Sequence, residues 1–192
     1  AAGHPTPCAT RAPRRACDEQ AGCRCVRFDL TSPLTWLPAL EGVSRVFLTA
    51  RPLDVTAAAT VPDFLDDCRR AGVEHVVFSS ALGTDIQAAG PLGLVESCLR
   101  HSGLDWTILR PNFFMENFSH GWLAPDIRNL GRIAVPAADG RTSFVSCEDV
   151  AAVVRLVLDD PAQRGVVHDL TGDDPRSHTA VAAAMTRASG RP

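Results

Sequence analysis

From Val26 onward, short runs rich in β-branched and aromatic residues alternate with segments of helical length, and this restricts the chain to an α/β fold built on a parallel sheet. The strand-like runs are 26–30, 45–49, 75–80, 106–109 and 166–170. The run His75-Val76-Val77-Phe78-Ser79-Ser80 is apolar on both faces, as a central parallel strand must be when helices cover both sides. Between these runs, helices are expected over 34–40, 61–70, 92–101, 147–158 and 179–188. Glu41-Gly42, Ala71-Gly72 and Gly103 supply the stops, and Ser146 supplies a cap for the fourth helix. Val150, Val153, Val154 and Val157 share one face of that helix. Short strands are expected near 133–135 and 143–145.

The length, 192 residues with 45% hydrophobic content, suits a single sizeable core. The expected division is one domain over 26–192, with a smaller substrate-side lobe over about 112–192. Residues 1–25 combine Pro, Arg and Cys with almost no large apolar side chains and read as irregular or disordered. Four of the seven cysteines, Cys8, Cys17, Cys23 and Cys25, crowd into that segment at spacings that match neither a paired C-x-x-C zinc site nor a disulfide framework. Cys68, Cys98 and Cys147 read as small buried hydrophobes.

Charge and composition exclude several classes. With a formal net charge of -3, no chain-wide basic field exists to attract nucleic acid. No apolar run is long enough to span a bilayer, and nothing resembles a secretory leader, so a cytoplasmic protein is expected. All 19 cationic residues are Arg, and Tyr is absent, so no Schiff-base lysine or tyrosine acid can operate. The histidines are scattered without metal-ligand spacing, and G-x-S-x-G does not occur, so no metal site and no serine hydrolase is expected.

The stretch Ser102-Gly103-Leu104-Asp105-Trp106-Thr107-Ile108-Leu109-Arg110-Pro111, followed by Asn112-Phe113-Phe114-Met115-Glu116-Asn117-Phe118, resembles the NmrA-like family of atypical short-chain dehydrogenases. Supporting matches lie in order on both sides: Asp29-Leu30, Leu40 to Leu48, Ala71 to Ser80, Phe144 to Ala151, and Asp169-Leu170-Thr171-Gly172. The resemblance implies a Rossmann-like doubly wound parallel sheet that binds NAD(P)H at the carboxyl ends of its strands. It implies that Asp29 and Leu30 approach the adenine, and that Thr49, Ala50 and Arg51 follow the cofactor. It also places Ser79 and Ser80 near the nicotinamide, and has Pro111, Asn112 and Phe113 border the ring site. Phe114, Asn117 and Phe118 would then face the substrate. Plainer readings stand beside these: Asp29 ends a strand, the serines satisfy local backbone groups, and the phenylalanines pack the core.

Two features depart from the family. No G-x-x-G-x-x-G turn, whose glycines let the backbone close on a pyrophosphate, occurs in the 192 residues, and the first β-α-β unit is expected to be lacking. The reading is therefore of a truncated relative, or of a shifted reading frame upstream of about residue 25. The Y-x-x-x-K pair of ordinary short-chain dehydrogenases is excluded by the absence of both residue types. The resemblance implies an NAD(P)H-dependent oxidoreductase, with NADP preferred to NAD and a quinone or secondary metabolite as acceptor, in a setting of bacterial metabolism. The alternative is a non-catalytic nucleotide-sensing regulator that works through a protein partner, or an inactive truncated relative.

Overall fold

The computed structural model describes residues 6–12 and 24–190. Its strands are β1 (Cys8–Thr10), β2 (Cys25–Arg27), β3 (Arg45–Thr49), β4 (His75–Ser79), β5 (Asp105–Pro111), β6 (Arg141–Thr142), β7 (Val166–Leu170) and β8 (Arg176–Ser177). Its helices are α1 (Trp36–Leu40), α2 (Val55–Arg70), α3 (Pro91–Arg100), α4 (Ala124–Leu130), α5 (Cys147–Asp159) and α6 (His178–Ser189).

The central sheet has the order β3-β4-β5-β7, with every pair parallel. Successive side chains of a strand point to opposite faces, and β4 shows how the two faces are used. Val76 and Phe78 join Val61, Phe64, Cys68, Val95 and Leu99 of α2 and α3 on one side. Val77, with Leu109 of β5, meets Val150, Val154 and Val157 of α5 on the other. All five residues of β4 are buried, which is the reason its sequence is apolar without alternation.

β1 and β2 form a separate parallel pair in the register Cys8↔Cys25 to Thr10↔Arg27. The pair is joined to the core just beyond β2, where the Phe28 ring meets Phe64 edge-on at 5.2 Å and Trp36 meets Phe64 at 5.6 Å. Although the pair is a sheet of its own, in the chain order of a doubly wound 3-2-1-4-5-6 sheet β2 and β1 correspond to places 3 and 2, and β3, β4 and β5 to places 4, 5 and 6. The place between β1 and β3 holds no strand among the described residues.

The structure corrects the sequence reading in several places. Cys8–Thr10, inside the segment read as irregular, is a strand, and it pairs in parallel with β2. Three residues are too few to show a periodicity, and pairing alone reveals them. Residues 1–5 and 13–23 lie outside the described residues. The helix expected over 61–70 begins at Val55, because Asp54 caps it by accepting from the N–H groups of Thr56 (3.0 Å) and Ala57 (3.3 Å). Pro62, which resembles a first-turn proline, lies inside it. The 34–40 segment divides into a 3-10 turn, Pro33–Thr35, and α1. No strand forms at 133–135; instead β6 pairs antiparallel with β8, and Val145 bridges to Phe114. Cys68 is buried, with its thiol pushed up to about 12 by desolvation, whereas Cys147 is exposed rather than buried.

Candidate functional site

Most of the sequence-expected residues lie at or just beyond the carboxyl ends of the parallel strands. At the end of β2, the Asp29 carboxylate accepts from the Thr31 N–H (3.0 Å) and hydroxyl (2.8 Å), and the Trp36 indole donates to the Asp29 carbonyl (3.0 Å). The Thr31 hydrogen bonds hold this carboxyl below its ordinary range, and the nearby Arg11 and Arg27 add to the effect. Arg11 is exposed and directly follows β1, and its charge acts on the Asp29 carboxylate just beyond the neighbouring strand. Leu30 is half-buried against the core.

In the central sheet, Thr49 lies beside Ser79, and Ser79 beside Leu109. The next residues on these strands, Ala50 and Arg51, Ser80, and Arg110 to Asn112, therefore form a continuous row. The row is stitched together by backbone bonds from Ser80 N–H to the Leu109 carbonyl (2.8 Å) and from Leu82 N–H to the Pro111 carbonyl (3.0 Å). Asn112 continues it by donating its N–H to the Leu170 carbonyl (2.9 Å), while its side-chain oxygen accepts from the Phe113 N–H (2.8 Å). The Ser80 hydroxyl donates to the buried Glu96 carboxylate (2.6 Å).

Beyond β5 an aromatic group closes the end of the row. The Phe113 ring lies 5.7 Å from Phe118, 5.7 Å from Phe144 and 5.6 Å from His178. The Phe144 and His178 rings meet Phe113 edge-to-face, which is favourable because the positive rim of one ring meets the negative face of the next. The loop carrying Phe113 to Phe118 is anchored twice to the start of α5. Met115 N–H donates to the Val145 carbonyl (2.9 Å), and both Glu116 oxygens accept from the Cys147 N–H (3.0 Å). Phe114 is half-buried and packs against the cluster of Val77, Leu109 and α5. Asn117 ends the 3-10 turn Met115–Asn117, half-buried beside Gly121.

The sequence matches the NAD(P)H-binding family over residues 1–161. The chain belongs to that family. The match starts at residue 1 and β1 pairs in parallel with β2, and both findings count against a shifted reading frame before residue 25. The chain is 33% identical over 168 residues to the NAD(P)H azoreductase of Xenophilus azovorans, covering 85% of this chain and 58% of that one. It is 33% identical over 165 residues to the prestalk A differentiation protein A of Dictyostelium discoideum, covering 86% and 54%. The chain thus spans about half the length of these curated relatives. Its fold superposes on the Escherichia coli NADPH-dependent quinone oxidoreductase solved with NADPH, with a TM-score of 0.77 and 25% identity, over 96% of this chain and 66% of that one. The α/β Rossmann-like fold and the NmrA-like resemblance are borne out, and the cofactor class is NAD(P)H.

The residues present fit two parts of such a cofactor. The Arg11–Asp29 end offers a cation and an acceptor for a ribose or its phosphate, and the Ser79 to Phe113 row ends in a largely apolar wall for a planar ring. The glycine turn that would cradle the pyrophosphate is not in this sequence. Sequence reasoning missed Arg11, Glu96, Phe144 and His178. Arg11 was hidden by the unreadable strand before it, and the others come from elements distant in the chain.

Proposed function

We propose that this chain acts in NAD(P)H-dependent reduction of a quinone or similarly conjugated acceptor. The observation that supports the reading best is the unbroken row from Ala50 through Ser80 to Asn112 along the carboxyl edge, with Asp29 at one end and the Phe113 group at the other. In this reading, Arg11 meets the 2′-phosphate, which favours NADP over NAD, while Asp29 and Leu30 hold the adenosine. Thr49, Ala50 and Arg51 flank the diphosphate, and Ser79, Pro111, Asn112 and Phe113 border the nicotinamide. Phe118 and Asn117 face the acceptor, with Phe114 holding their loop against the core.

The bound cofactor supplies the hydride. The protein's residues orient it and keep water from the ring face. A reduced quinone leaves a phenolate-like oxygen, whose pKa of about 10 is low enough to need no tyrosine–lysine acid, in keeping with a chain that has neither residue type. A small planar acceptor is the expected partner. The cytoplasmic location expected from the sequence stays part of the proposal; among the described residues, no helix is long and apolar enough to cross a membrane.

A second reading, a nucleotide sensor acting through a protein partner, is favoured by the engagement of the Ser80 hydroxyl with Glu96. Titration of the 192-residue chain with NADPH and NADH, followed by addition of a benzoquinone, separates the two. Saturable binding with cofactor oxidation supports the reductase, binding without turnover supports the sensor, and no binding overturns both.

A further inference from the structure

Glu96 sits in α3 with its side chain 5% exposed, and it collects partners from two other strands' ends and from its own helix. Its Oε1 accepts from the Ser80 hydroxyl (2.6 Å) at the end of β4 and from Arg110 Nε (3.0 Å) near the end of β5. Its Oε2 accepts from Arg110 Nη2 (2.7 Å) and, one helical turn away, from Arg100 Nη2 (3.4 Å). Arg110 in turn reaches Asp85 of the loop after β4 at 3.6 Å, and Thr84 of that loop lies 3.1 Å from the Ser80 hydroxyl.

For stability alone this arrangement is a poor use of the space, since a buried ion pair is commonly no better than apolar residues of the same volume. What it does achieve is geometric. The bidentate guanidinium fixes Arg110 in the residue before Pro111, and the serine bond fixes the residue after Ser79. We infer that Glu96 is a positioning residue of the ring site, setting the spacing of the β4 and β5 termini and, through Arg110, the seat of the loop that follows β4. The inference rests on the proposed dinucleotide reading. Glu96 touches neither cofactor nor acceptor; it acts through Ser80 and Arg110.

The test compares the wild-type chain with Glu96→Gln, which keeps the volume and one acceptor oxygen but turns a donor toward the arginines, and with Arg110→Lys, which keeps the charge and loses the fork. NADPH oxidation by a benzoquinone is measured per folded molecule, together with the KM for NADPH and the fluorescence of bound NADPH. The expected result is a fall in kcat of about 100-fold, the scale of a misplacement of order 1 Å. NADPH KM should move less than about threefold, and the bound-cofactor emission should shift, in both variants. Variants that merely melt earlier, with kcat and bound-cofactor emission unchanged, overturn the positioning role while leaving the proposed function standing. If Glu96→Gln does not fold, Arg110→Lys decides. If wild type binds NADPH without turnover, the emission shift alone decides. If wild type does not bind NADPH, the proposed function fails and this inference falls with it.

Discussion

Arg11 follows β1 and His75 opens β4, and both are testable one side chain at a time. A guanidinium hydrogen-bonded to a phosphate contributes about 1.5–3 kcal/mol. Arg11→Gln is therefore expected to weaken NADPH binding by about 10–100-fold and to leave NADH binding nearly unchanged, as read by parallel fluorescence titrations. Equal loss for both nucleotides would remove Arg11 from the 2′-phosphate. His75 is buried, and its Nε2 lies 2.9 Å from the Thr107 hydroxyl, which itself donates to the Gln163 carbonyl (2.7 Å). The single hydroxyl hydrogen is thus used, and His75 must carry its proton on Nε2 and donate. Burial, chiefly, with the Arg164 charge nearby, pulls the His75 pKa below its ordinary 6.5. As pH falls from neutrality past 6.5, the unfolded chain takes up a proton before the folded one does. Folding stability is therefore full above that pH and is lost as pH drops through the lowered folded value. Chemical denaturation at a series of pH values should show this slope, and His75→Gln, which can still donate to Thr107, should flatten it.

At the scale of single elements, two junctions carry more than their length suggests. Gly172, just after β7, approaches Phe144 so closely that an added Cβ would lie 2.1 Å from the Phe144 carbonyl oxygen. Gly172→Ala must push the two backbones apart beneath the aromatic group. It is expected to cost about 1–3 kcal/mol, visible as a melting temperature lower by about 2–4 °C per kcal/mol. A melting curve that does not move would show that this contact yields freely. The start of α2 depends on Asp54, and Asp54→Ala should cost about 1 kcal/mol of stability by leaving the Thr56 and Ala57 N–H groups without their cap. This helix also shows the limit of local reading. Pro62 fits the first turn of a helix so well that the true start at Val55 is obscured, whereas the β7 run 166–170 and the α5 cap at Ser146 emerge where the sequence places them.

For the molecule as a whole, the decisive quantity is whether the β1–β2 pair and the central sheet hold one ligand between them. A ligand that binds only the folded state stabilises it by about 2.7 kcal/mol at 100 times its Kd. NADPH should therefore raise the melting temperature by about 5–10 °C at that concentration. A flat response to NADPH at any concentration would mean that the two ends of the candidate site do not act together without a phosphate cradle.

Hydrophobic period and stop residues determined by themselves that this is a parallel α/β chain, and the order of motifs around T-I-L-R-P determined its family. These are local signals, carried by neighbours in sequence, and they need no partner to be read. The pairing of Cys8–Thr10 with β2, the packing of Phe114 against the core, the bond of Ser80 to Glu96, and the gathering of Phe113, Phe118, Phe144 and His178 were decided only by the tertiary structure. Strand pairing, side-chain facing and ring contacts depend on which distant elements the fold brings together. A three-residue strand or a serine pair carries no local record of that.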